Sequence, residues 1–222
     1  MLKQQPKTPI VCADVDGTIL ATDLLYESLL FVIKRKPGIL FLLPFWLLRG
    51  RAHLKEMLAW RSTALAVDLL PLNENAVDYL RQASAEGQRV VLASASHRSL
   101  VEKVAHRLGF VSEVIATESS VNMKGAAKAK AIQGHLGGVA WEYVGDSRAD
   151  MAVWREAAGV VCVTSSSAFA RKVQNAYPGA EILSKPAFTQ AVLLKALRVH
   201  QWLKNLLLFA PLVLAHQWFN SQ

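Results

Sequence analysis

The chain has 222 residues, 52% of them hydrophobic, with 25 Lys/Arg against 17 Asp/Glu and a formal net charge of +8. That length and apolar content allow a substantial buried core and exclude a disordered chain. The positive excess lies beside apolar runs, as at Lys34, Arg35, Lys36, Arg49 and Arg51 around residues 39–48, and at Lys195, Arg198 and Lys204 before 206–214. This clustering points to a cytoplasmic membrane face and away from nucleic acid.

The first ten residues, MLKQQPKTPI, lack the apolar stretch of a secretory signal, so the first domain is expected to stay in the cytosol. Residues 10–13 then read as a short buried strand opening into a turn made by Asp14, Val15, Asp16, Gly17 and Thr18. Two carboxylates this close repel unless a cation or a shared proton compensates them. The pair therefore suggests a hard metal with oxygen ligands, and a nucleophile beside an acid/base. Cys12 and Cys162 sit in apolar, strand-like runs without CxxC or Cys/His spacing and read as small core residues, which fits a reducing compartment.

Residues 22–72 interrupt the pattern with a helix-favouring, strongly apolar insertion. Its run 39–48 is broken by Pro44 and is shorter than the roughly 20 residues a spanning helix needs. It reads as the inner face of a small helical cap, in preference to an in-plane membrane-contact helix, although the two are compatible.

From residue 73 the rhythm is regular. A helix is predicted over 73–85, with Ala76, Val77, Leu80 and Ala83 at helical spacing, and a strand over 89–93. A helix over 100–108 ends at Gly109, and a strand follows over 113–116. Further helices are predicted over 126–136, 149–158 and 168–177, each followed by a strand, at 141–144, 160–163 and 181–183. Such alternation implies right-handed crossovers and a doubly wound parallel α/β sheet with helices on both faces.

Three later strand ends could complete a site with Asp14 and Asp16. Ser94 offers a hydroxyl and following backbone amides to a phosphate oxygen. Lys124, just before Gly125 and a helix, could neutralise an anion. The segment GDSRAD places Asp146 and Asp150 at a strand-to-helix turn. Singly each has a plain reading: a helix cap for Ser94, a solvated charge for Lys124, a cap and a first-turn carboxylate for the two aspartates. His97 and Arg98 could touch substrate, but capping or surface roles are the stronger reading.

Together, DVDGT, VVLASAS, NMKGAAK and GDSRAD resemble the four motifs of the haloacid dehalogenase (HAD) superfamily, in order and at strand ends, over residues 10–183. The resemblance implies a Mg2+-dependent phosphatase in which Asp14 is nucleophile and Asp16 general acid/base. Mg2+ would be held by Asp14, the backbone carbonyl of Asp16, and Asp146, with Asp150 in support. Ser94 and Lys124 would bind phosphate, with Lys128 as the alternative to Lys124. It also implies an α/β core of residues 1–21 and 73–190, with a helical cap at 22–72.

Residues 191–222 depart from that pattern. Basic residues and Trp202 precede the apolar run 206–215, with Trp218 behind, like an interfacial belt and the start of a membrane helix. The segment is similar to the start of a UbiA-like polyprenyl transferase, a membrane family sometimes joined to an N-terminal HAD domain. That similarity implies a phosphorylated, polyprenyl-linked sugar as substrate and a place at the cytoplasmic face of the membrane. The rival readings are a soluble phosphatase of small, phosphoserine-like metabolites and a non-catalytic membrane recruitment module. The retained Asp14/Asp16 pair argues against the latter.

Overall fold

Strand β1 (Ile10–Ala13) is buried along its whole length and divides the core in two. Val11 and Ala13 face one side with Leu80, Val101 and Val104, while Ile10 and Cys12 face the other with Ile132, Tyr143 and Trp154. Each fully buried Leu or Ile contributes roughly 1.5–3 kcal/mol. A strand apolar on both faces belongs inside a sheet covered on both faces.

The computed structural model describes residues 9–117 and 125–185. Within them β1 joins β2 (Arg89–His97), β3 (Glu113–Thr117), β4 (Trp141–Gly145), β5 (Gly159–Thr164) and β6 (Glu181–Ser184) in one sheet. All the pairings are parallel, in the order β3-β2-β1-β4-β5-β6. The chain builds outward from β1 to β3, then returns to the other flank of β1 and builds outward again. The order therefore reverses between β1 and β4, where a crevice opens beyond the carboxyl ends of the strands. The Asp14 amide, donating to the Val144 carbonyl at 2.9 Å, marks its floor.

Between β1 and β2 lie α1 (Leu24–Arg35), α2 (Leu43–Leu48), α3 (Arg51–Arg61) and α4 (Glu74–Ala85). After them come α5 (Arg98–Leu108), α6 (Ala126–Leu136), α7 (Met151–Trp154) and α8 (Ser167–Ala176). Helix α1 starts where Asp23 accepts hydrogen bonds from the amides of Leu25 and Tyr26 at 2.8 and 3.1 Å. The insertion has its own apolar cluster, centred on buried Val32, Ile39, Trp46 and Leu58.

Every predicted strand is present, and the departures have local causes. Strand β2 runs to His97 because Ser94 and His97 still pair with Ala116 and Thr117 of β3. The helix predicted over 149–158 is shorter, a 3₁₀ turn Arg148–Asp150 followed by α7. It stops early because the Ala158 amide already donates to the Trp141 carbonyl of β4 at 2.8 Å. The run 39–48 is an inner face only in part: Ile39 and Trp46 are buried, whereas Phe41, Phe45 and Leu48 are exposed. Cys12 and Cys162 are fully buried, and burial pushes both thiols up to about 12, as core residues require. Among the described residues no helix is long and apolar enough to cross a membrane. The predicted membrane-helix start at 191–222 and Lys124 lie outside the described residues.

Candidate active site

The turn after β1 is built so that two carboxylates leave it in different directions. Asp14 Oδ1 accepts from the Val15 amide at 2.8 Å, and its Oδ2 lies 2.9 Å from Lys128 Nζ. Asp16 turns toward β2 and α1 instead. Its Oδ1 accepts from the Leu24 amide at 2.7 Å, and its Oδ2 from the hydroxyls of Ser94 and Ser96 at 3.0 and 2.6 Å. Gly17 makes this turn possible. Its φ is +77°, and a β-carbon there would lie 2.5 Å from Asp146 Oδ2.

The second half of the site comes from the end of β4. Asp150 Oδ2 gathers the amides of Asp146 and Ser147, at 3.2 and 3.0 Å, and the Ser147 hydroxyl at 2.7 Å. Asp150 and Ser147 thereby form a capping box for the helical turn. Gly145 keeps room for it, since a β-carbon there would lie 2.8 Å from Asp150 Cγ. Asp146 is left facing the crevice, with its Oδ2 3.0 Å from Lys185 Nζ.

A buried network ties these groups together. Lys128 Nζ donates to the Tyr143 hydroxyl at 2.9 Å, and that hydroxyl donates to Asp150 Oδ1 at 3.2 Å. Burial pushes Asp14 up from the ordinary 3.8 to about 7, against the opposing pull of Lys128. Asp16 is raised mainly by burial, with the hydrogen bonds from Ser96, Leu24 and Ser94 working the other way. Asp146 is raised by burial and held back by Lys185. Raised carboxylates gathered with two lysines in one crevice mark a candidate functional site.

Carboxylate oxygens of Asp14, Asp146 and Asp150 lie within 4.8 Å of one another. An all-oxygen, all-anionic donor set suits a hard divalent cation such as Mg2+. Asp150 is largely occupied by its four donors, so Asp14 and Asp146 are the freer ligands, with Asp150 shaping the turn that presents Asp146. The cavity above them has a volume of about 410 Å³. Ser96, Lys128 and the aspartates line its floor, and Asp23, Leu25, Leu47, Leu54 and Lys55 of the insertion line its other wall.

Asp14, Asp16, Asp146 and Asp150 thus meet as the motifs suggested. Ser94 does not face the cavity: it is fully buried and its hydroxyl is committed to Asp16, while Ser96, two residues on, reaches the cavity wall. Lys128 occupies the place beside Asp14, whereas Lys124 lies outside the described residues. His97 caps α5 by accepting from the Ser99 amide, and Arg98 donates to the Val114 carbonyl at 3.1 Å. Tyr143, Ser96 and Lys185 were missed: the first reads as one more aromatic of a core strand, the second closes VVLASAS two residues after the serine chosen, and the last stands outside the four motifs.

Comparison with known proteins identifies the family and the fold. Residues 11–155 match the model of the haloacid dehalogenase-like hydrolase family. An uncharacterized protein, y4nM, of Sinorhizobium fredii is 33% identical over 94% of the chain, and the chain spans 40% of that relative's length. A protein of unknown function from Bordetella pertussis Tohama I superposes with a TM-score of 0.59 at 17% identity, over 78% of this chain and 97% of that one. A phosphoserine phosphatase in apo form superposes with a TM-score of 0.53 at 16% identity, over 85% and 98%. At such identities the two structures speak for the fold.

Proposed function

The chain belongs to the haloacid dehalogenase-like hydrolase family, and we propose that within it the protein is a Mg2+-dependent phosphomonoesterase working through a phosphorylated Asp14. The observation that carries this is the divergence of the two carboxylates in the turn, with Asp14 beside Lys128 and Asp16 held by Ser96, Ser94 and the start of α1. The fold likeness to phosphoserine phosphatase supports it.

In this reading Lys128 offsets the charge of the incoming phosphate, and an Asp14 carboxylate oxygen attacks phosphorus as the bond to the leaving oxygen breaks. Asp16, whose neutral form is favoured by burial, gives its proton to that oxygen. Asp16 then takes a proton from water, which attacks phosphorus and releases orthophosphate with Asp14 restored. Mg2+ bound by Asp14, the Asp16 backbone carbonyl and Asp146 would supply further charge neutralisation. Ser94 acts through Asp16 by holding its carboxylate. Hydrolysis of an aryl phosphate with and without Mg2+, by the unchanged protein and by Asp14→Asn, tests the reading. Mg2+-dependent turnover that disappears in the variant supports it, and full turnover in the variant refutes it.

Two substrates are compatible with the wall of the insertion, which acts as a cap in this reading. Its apolar part, Leu25, Leu47 and Leu54, favours an alcohol with an apolar body, such as a polyprenyl-linked sugar phosphate at the cytoplasmic membrane face. Fusion to a UbiA-like transferase belongs to the same proposal. The second reading is a phosphoserine-like metabolite, favoured by Asp23 and Lys55, whose opposite charges on the same wall suit an ammonium and a carboxylate. Relative kcat/KM for the two substrate classes decides between them.

A further inference from the structure

The outer side of the insertion exposes large apolar side chains close together in sequence. Phe41 is 80%, Phe45 65% and Leu48 85% exposed, with Leu40 and Leu42 also open to solvent. They belong to the 3₁₀ turn Pro37–Phe41, the residue after it, and helix α2. One exposed leucine on a surface is ordinary; such a cluster marks a place where something else packs. The charge around it is one-sided. From Ser28 to Lys55 the sequence holds six Lys/Arg and no Asp/Glu, in a chain whose whole net charge is +8. Lys34, Lys36 and Arg49 are exposed beside the apolar residues.

We infer that this face docks on an anionic lipid bilayer, with Phe41, Phe45 and Leu48 entering the boundary of the acyl region and the flanking cations meeting phosphate headgroups. Apolar residues flanked by cations are complementary to that surface in both chemistry and charge. A second copy fits poorly, because a symmetric contact would bring two acid-free, six-cation segments together. Leu47 lies on the same short helix and lines the catalytic cavity, so docking holds one wall of that cavity close to the membrane. That last link rests on the proposed phosphatase activity, whereas the docking itself is measured without it.

The test uses the full chain carrying Phe45→Cys labelled with a polarity-sensitive thiol dye. Cys12 and Cys162 are buried, so the label is selective. With vesicles of phosphatidylcholine and phosphatidylglycerol the emission should shift to the blue and be quenched by brominated acyl chains. Combined Lys34→Glu, Lys36→Glu and Arg49→Glu changes should weaken that partition by roughly tenfold or more. A dye that stays in water with these vesicles overturns the docking, and does so without touching the phosphatase reading if aryl phosphate is still hydrolysed. Equal insertion into phosphatidylcholine alone, or no effect of charge reversal, overturns the anionic partner. A shift that appears without vesicles and grows with protein concentration assigns the face to a second copy instead.

Discussion

Lys128 Nζ lies 2.9 Å from Asp14 Oδ2, with side chains only 4% and 13% exposed. A lysine so withdrawn from water is retained at a cost, and it is tolerable because Asp14, Asp150 and the Tyr143 hydroxyl surround it. Both residues also line the cavity, where the proposed reaction would bring phosphate against them.

Removing that ammonium should therefore damage both fold and chemistry. Lys128→Met is expected to lower turnover on the order of 10²–10³-fold and to destabilise the protein by roughly 3–5 kcal/mol, as the loss of one partner of a buried pair does. Lys124→Ala should leave turnover close to that of the unchanged protein. Steady-state kinetics and thermal melts of both variants check this assignment, and the reverse ranking would move the phosphate-binding role to Lys124.

Asp16→Asn separates proton transfer from binding. An amide keeps the shape but has no proton to give, so turnover should fall on the order of 10²–10⁴-fold for an alkyl phosphate and less for an activated aryl phosphate. Comparing the two substrates measures the difference. Equal losses, with phosphorylation of Asp14 rate-limiting for both, would take Asp16 out of the leaving-group role.

Gly17→Ala places a β-carbon 2.5 Å from Asp146 Oδ2 at a φ of +77°. The strain should cost roughly 1–3 kcal/mol, and displacement of Asp146 should raise the Mg2+ concentration needed for half-maximal thermal stabilisation. A melt titrated with Mg2+ reads both effects. Unchanged stability and metal response would mean that the turn can rearrange at little cost.

The raised carboxylates make a signed pH prediction. Between the ordinary 3.8 and about 7, folded Asp14 holds a proton that the unfolded chain has lost. Its contribution to metal-free stability is thus complete below 3.8 and is lost as pH rises toward 7. A cation needs the ionised carboxylate, so the rise in Tm caused by Mg2+ should be larger at about pH 7.5 than at about pH 5.5. Calorimetry at the two pH values checks the sign; a larger shift at the lower pH would contradict it.

The acidic half of the site was legible because DVDGT and GDSRAD sit at strand ends, and strand ends at a switch point are where a parallel sheet exposes chemistry. The choice between Lys124 and Lys128 was not, since spacing alone does not tell which lysine of NMKGAAK the helix turns inward. The neighbour of Ser94 was hidden for a related reason. A serine at a strand end can face substrate or neighbour, and only the meeting with Asp16 across the turn decides it. Gly17 and Gly145 could be seen as turn formers, but the carboxylates they make room for are distant in sequence or on the following turn. In the insertion, an apolar run with no polar residue in it carries no period to tell Trp46, which packs inward, from Phe45 beside it, which does not.

The central claim is that phosphate passes through Asp14, and the most direct measurement is the mass of the peptide carrying that residue during turnover. Full-length protein mixed with an aryl phosphate and Mg2+, then quenched rapidly in acid, should show one added phosphoryl group on the peptide containing Asp14. The adduct should accumulate further in Asp16→Asn, where water activation is slowed, and should be absent from Asp14→Asn. Sustained Mg2+-dependent hydrolysis with no adduct on that peptide, and with Asp14→Asn still turning over, would contradict the account.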